Sequence, residues 1–109
     1  MIELPYPSTR YKYVAVDFDG TLCENEWPKI GKAYDEVFDW LKSQRVLGSK
    51  IILWTCRQGT KLDEAIEFCG ENGIEFDAVN ENPFTEWGDG RKIYADIYLD
   101  DKAWRVEDK

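Results

Sequence analysis

Residues 11–22 read YKYVAVDFDGTL, and the fold turns on how that stretch is parsed. Tyr11 to Phe18 is rich in aromatic and β-branched residues, and its second half is almost unbroken in apolar character before the acidic-glycine cluster Asp19-Gly20. That composition predicts a buried first strand, with the polar cluster lying where the chain leaves it.

Beyond an irregular stretch, Tyr34, Val37, Phe38 and Leu41 fall at i, i+3, i+4 and i+7, the spacing of one buried helix face. The pattern predicts a helix from about Ile30 to Gln44. Ile51-Ile52-Leu53-Trp54 is short, wholly apolar and preceded by Gly48, so it reads as a second strand buried on both faces, with Thr55 at its carboxyl end. Leu62, Ala65, Ile66 and Cys69 repeat the helical spacing. Thr60 is the expected N-cap, with Asp63 three residues on, and Asn72-Gly73 supplies a left-handed stop. Phe76 to Val79 and Ile97 to Leu99 predict a third and a fourth strand. Asn80 to Lys92 (NENPFTEWGDGRK) carries turn residues at both ends and reads as a long ordered loop. Residues 105–109 are charged and expected to fray.

Alternation of strand and helix is the sequence form of βαβ units. The expected architecture is one Rossmann-like three-layer α/β domain over residues 1–109, a parallel sheet with helices on both faces. Ligands of such sheets bind outside the carboxyl ends of the strands. Three of the four expected strands end there in polar residues: Asp17 to Asp19 with Gly20 and Thr21, Thr55 to Arg57, and Asp100-Asp101.

Composition bounds the chemistry. The chain of 109 residues is 43% hydrophobic, with five Trp, six Tyr and five Phe, enough to fill a single core. No apolar run approaches the roughly 18 residues needed to cross a bilayer, and the N-terminal residues lack the pattern of a secretion signal. A cytoplasmic location without membrane partners is expected. Histidine is absent, which removes the usual general base and imidazole metal ligands. Oxygen ligands then favour a hard cation such as Mg²⁺ over zinc or copper. The formal net charge of −8 argues against non-specific nucleic-acid binding. Cys23, Cys56 and Cys69 form no C-x-x-C pair and read as reduced thiols. A cysteine-based phosphatase needs arginine six positions after its nucleophile, whereas Lys29 and Leu62 stand there.

Asp17-Phe18-Asp19-Gly20-Thr21-Leu22 resembles the first motif of the haloacid dehalogenase-like superfamily, D-x-D-G-T after a hydrophobic strand. Thr55, after its apolar strand, is similar to the second motif, Lys92 to the third, and Tyr98-Leu99-Asp100-Asp101 to the paired-aspartate form of the fourth. The resemblance runs from about Tyr11 to Trp104. Trp27-Pro28-Lys29-Ile30-Gly31 and Trp54-Thr55-Cys56-Arg57 also look like small members from bacteria and their phages.

This resemblance implies an Mg²⁺-dependent phosphatase. Asp17 would be the nucleophile, forming an aspartyl-phosphate, and Asp19 would protonate the leaving oxygen and then deprotonate water. Thr55 and Lys92 would contact the substrate phosphate, with backbone N–H groups following Asp17 completing an anion cradle; Arg57, beside Thr55, is a further candidate for that phosphate on its position alone. Asp17, the Asp19 carbonyl, Asp100 and Asp101 would hold the metal. Neither gap between motifs has room for a cap domain. The site is therefore expected to be open to bulky phosphorylated substrates, with a nucleic acid engaged only at a phosphorylated end, unless a second copy or the Asn80 to Lys92 loop covers it.

Blander readings accompany each residue. Asp-Gly alone is an ordinary turn, Thr55 could cap a turn, and the aspartate pair could begin one. Lys92 competes with Arg91, Lys61 and Lys102 for the third-motif role, and Arg57 could instead pair with a carboxylate. Cys23 and Cys56 read as small packing residues. Trp27, Phe84 and Trp87 could stack a ring or belong to the core. Three other functions remain in view: a phosphotransferase using the same intermediate, a non-catalytic metal or phosphate-binding module, and a protein that binds a cation for stability alone.

Overall fold

The computed structural model describes residues 2–81 and 95–101. Lys92, residues 82–92 of the expected loop, Phe84, Trp87, Arg91, Lys102 and the expected frayed end at 105–109 lie outside them. The elements run β1 (Tyr13–Val16), β2 (Cys23–Glu26), β3 (Lys29–Ala33), α1 (Asp35–Val46), β4 (Lys50–Leu53), α2 (Gly59–Glu71), β5 (Ala78–Val79) and β6 (Ile97–Leu99). A four-stranded parallel sheet in the order β5-β4-β1-β6 is flanked by the two helices, an α/β fold as expected.

All four residues of β1 are buried, because the strand has a neighbour on each side and cover on both faces. Val14 and Val16 share one face with Ile51 and Leu53 and pack in a single cluster with Val37, Phe38 and Leu41 of α1 and Ala65 and Cys69 of α2. Ala15, Ile52 and Ala78 point the other way into a smaller cluster joined by Ala95. Topology explains why both helices lie on one face. The steps β1 to β4 and β4 to β5 move in the same direction across the sheet, and right-handed crossovers put both connections on the same side. The step from β5 back to β6 reverses direction, and most of that connection lies outside the described residues.

Four expectations need correction. The helix predicted from Ile30 begins at Asp35, and residues before it form an antiparallel hairpin, β2 with β3. Glu24, Asn25 and Glu26 are exposed, so no apolar alternation announced a strand there. Asp35 and Glu36 occupy the first turn of α1, where carboxylates favour the helix N-terminus. Thr60 lies inside α2, whose N-cap is Gln58. Ile66 is exposed, while Phe68 takes its place on the core side, edge-on to Phe18 at 5.9 Å and to Phe38 at 6.1 Å. Trp54, expected inside a fully buried strand, follows β4 and is 43% exposed.

Polar anchors fix the turns at the far end of the sheet. The buried Gln44 side chain accepts from Tyr11 N at 2.9 Å and Ser49 Oγ at 3.0 Å and donates to Thr9 O at 2.6 Å. Asp77 accepts from Ile51 N at 2.8 Å and from Arg45 at 2.5 Å, and Arg45 also bonds the Ser49 and Glu75 carbonyls. Burial alone would push the Asp77 carboxyl up; the Arg45 and Ile51 hydrogen bonds, with the Arg45 and Lys50 charges, outweigh it and hold it below its ordinary range.

Asp77→Asn is expected to lower stability by about 1 kcal/mol at neutral pH, the pair being partly solvated. A carboxyl whose folded pKa is depressed stabilises above its unfolded value of 3.8 and loses that contribution as pH falls through the lowered folded value. Urea unfolding of wild type and variant should therefore differ at pH 7 and converge as the solution is made strongly acid.

Candidate active site

The ladders on either side of β1 continue past its last residue. Trp54 N donates to Val16 O at 2.8 Å, and Asp17 N donates to Leu99 O at 2.9 Å. Asp17, Thr55 and Asp100 thus leave the sheet on three adjacent strands at one carboxyl edge. Successive connections run to opposite sides of β1, so this is also the switch point at which a crevice opens in parallel sheets.

Beyond Asp17 the chain turns tightly. Thr21 N and Leu22 N both donate to Phe18 O, at 3.1 and 2.9 Å, and Gly20 N donates to Cys23 O at 2.9 Å. The Phe18 N–H faces the Asp17 carboxylate. Among the backbone donors expected to cradle an anion, those of Gly20, Thr21 and Leu22 are therefore engaged inside the turn. Gly20 has φ +84°, and a Cβ on it would collide with the Asp101 carboxylate. Thr21 is fully buried, and its Oγ1 accepts from Asp101 N at 3.0 Å, tying the end of β6 to the turn after β1.

Asp17, Asp100 and Asp101 each bring a carboxylate oxygen to within 4.8 Å of the others, a group able to hold a metal ion. Burial pushes the Asp17 carboxyl up to about 6 against the Phe18 N–H, and the charges of Asp100, Asp101 and Asp19 add to the rise. Three carboxylates at this spacing repel one another, and all their donors are oxygen. Both properties suit a hard divalent cation.

The Asp19 carboxylate turns elsewhere. Arg57 Nε donates to its Oδ2 at 2.9 Å and an Arg57 terminal nitrogen to its Oδ1 at 2.7 Å. A site of four clustered carboxylates was conceivable from sequence, but three gather here, because this guanidinium draws the fourth away. Arg57, expected on the substrate phosphate, is 1% exposed, and its remaining N–H groups reach the Pro28 and Lys29 carbonyls of the hairpin at 3.4 and 3.0 Å. The Asp19 hydrogen bond raises its pKa against burial, so it stays a cation.

Thr55 is half-buried at the end of β4. Its N–H donates to Asn80 Oδ1 at 2.8 Å, while its Oγ1 accepts from Arg57 N at 3.2 Å. Asn80 is a residue that sequence reasoning did not single out. It has φ +55°, and its own N–H bonds Leu53 O at 2.7 Å, so it braces the loop that carries Thr55. Its signal was the turn propensity of asparagine in left-handed backbone. Burial pushes the Cys23 thiol up and the Cys69 thiol up to about 12, which keeps both as inert core groups. Cys56, expected to pack, is exposed.

The chain matches no family model and no curated protein. It is similar to the solved structure of a conserved protein from Bacteroides thetaiotaomicron, with 40% identity and a TM-score of 0.78, covering 87% of this chain and 78% of that one. The chain belongs to the same family as that protein.

Gly20→Ala should displace Asp101. Calorimetric titration with Mg²⁺ is expected to show affinity reduced by about tenfold or more, and the strained left-handed alanine should cost about 1–3 kcal/mol in thermal unfolding. Undiminished affinity in a folded variant would mean that Asp101 holds no cation.

Proposed function

We propose that this chain is an Mg²⁺-dependent phosphatase of the haloacid dehalogenase-like superfamily, hydrolysing a phosphate monoester through an aspartyl-phosphate on Asp17. The observation that carries this reading is the convergence of Asp17 with Asp100 and Asp101 from the next strand, with Asp19 two residues on and held separately. A cation-binding group for stability alone would need no fourth carboxylate set apart at its rim, which favours turnover over binding only.

In the proposed reaction the Asp17 carboxylate attacks phosphorus, its oxygen–phosphorus bond forming as the bond to the leaving oxygen breaks. Asp19 gives that oxygen a proton. Water, deprotonated by Asp19, then attacks the same phosphorus, breaks the bond to Asp17 and releases inorganic phosphate. Thr55 lies on the neighbouring strand end, where its hydroxyl can meet the transferring group, and Lys92 takes the neutralising role by resemblance. Asp17, Asp100 and Asp101, with the Asp19 carbonyl, would hold Mg²⁺, which offsets the repulsion between an anionic nucleophile and an anionic substrate.

The proposed architecture is the Rossmann-like three-layer form without a cap. A capless site suits a substrate that covers the site itself or a homodimer in which a second copy does. No helix among the described residues is long and apolar enough to cross a membrane, in keeping with the proposed cytoplasmic location.

Phosphate release from an aryl phosphate, nucleotides and sugar phosphates is expected to require Mg²⁺, to stop with EDTA and to fall by at least about 10³-fold in Asp17→Asn. A folded protein that binds Mg²⁺ yet turns over none of the panel would favour the binding module. Transfer of the phosphoryl group to an added alcohol in preference to water would make it a phosphotransferase.

A further inference from the structure

We propose that Arg57 is a positioning residue: its guanidinium fork fixes the Asp19 carboxylate in the orientation from which it exchanges protons at the reacting oxygen, and the β2–β3 hairpin with Trp27 completes the holder. The inference rests on the phosphatase reading above.

Arginine is almost never fully buried unless paired. Here a guanidinium 1% exposed has four polar contacts, two to Asp19 and one each to the Pro28 and Lys29 carbonyls. Its flat faces are covered as well, by the Phe18 ring at 5.0 Å and the Trp27 ring at 4.9 Å. The loop after β4 thus brings this one side chain to the turn after β1 and to the hairpin that follows it, both remote from Arg57 in sequence.

Exposure within the pair gives the direction of its action. The Arg57 side chain is 1% exposed and that of Asp19 is 21%. The cation lies behind and the carboxylate faces outward, the reverse of what an arginine gripping a substrate phosphate requires. A carboxylate offers about four acceptor sites, and the fork takes one on each oxygen. Among the described residues no other group takes the remaining ones, which can meet a proton or a substrate oxygen. Asp19 sits in a turn, where a short side chain otherwise chooses among rotamers; two parallel bonds to a rigid planar group remove that choice. Lysine, a point charge on a flexible stem, can keep the pairing but not the orientation.

The test compares kcat/KM for an alkyl phosphate, whose leaving oxygen needs a proton, with that for 4-nitrophenyl phosphate, whose leaving group departs as a stable anion. Arg57→Lys is expected to lose about 100-fold on the alkyl ester and less than about tenfold on the aryl ester, the same pattern as Asp19→Asn. Trp27→Leu alters an exposed hairpin residue that the core does not need, and should give a smaller loss of the same selective kind. It keeps the test open should Arg57→Lys not fold, as judged by circular dichroism and thermal unfolding. Equal losses on both esters in folded variants would overturn the proposal. So would a rise of about tenfold in the inhibition constant of inorganic phosphate, which would put Arg57 on the phosphate. A wild type that hydrolyses neither ester would overturn the phosphatase reading and this inference together.

Discussion

Hydrogen-bond ladders on both sides of β1 are the constraint from which the rest of the molecule follows. They extend through Val16 O to Trp54 N and through Asp17 N to Leu99 O. A parallel strand bonded on both edges and buried on both faces has no freedom to slip, since a one-residue shift would exchange Val14 and Val16 with Ala15. That register determines which residue is last in the strand and first at the crevice. It is Asp17, with Asp100 beside it and Thr55 on the other flank.

Once carboxylates are gathered at a strand edge, their charge has to be managed, and two devices operate within a few residues. Asp17 stands with Asp100 and Asp101, and burial and like charge push its carboxyl up to about 6. Asp19, two residues on, is matched by a buried guanidinium. Burying that guanidinium costs solvation, which the Asp19 pair, the hairpin carbonyls and the Phe18 and Trp27 rings offset. The hairpin therefore belongs to the site's electrostatics as well as to its outline, and Gly31 lets its strands approach, since a Cβ there would collide with Glu24 backbone.

How far the sequence could be read depended on whether the deciding forces were local. The β1 and β4 runs were legible because strands in the middle of a parallel sheet are apolar on both faces, and α1 because Val37, Phe38 and Leu41 keep helical spacing. The hairpin was not legible. Its strands carry exposed Glu24, Asn25, Glu26 and Lys29, and what holds them is their own backbone pairing with Arg57 contact to carbonyls, neither of which leaves a mark on side-chain pattern. Ile66 and Phe68 show the same limit within a helix. Either residue could have lined the core, and the aromatic rings of Phe18 and Phe38 selected Phe68.

By itself the sequence determined the order of the parallel strands and the two helices, the oxygen-only chemistry imposed by the absence of histidine, and the aspartates, threonine and glycine waiting at strand ends. These follow from periodicity and composition, which act between near neighbours along the chain. Only the tertiary structure decided which carboxylates meet and which is diverted. Asp17 joins Asp100 and Asp101, more than eighty residues away, because parallel pairing sets β6 beside β1, and Asp19 goes to Arg57 because the loop after β4 returns under the hairpin. Pairing between distant segments is settled by packing and by the desolvation of charge, and neither can be summed along a single stretch of chain.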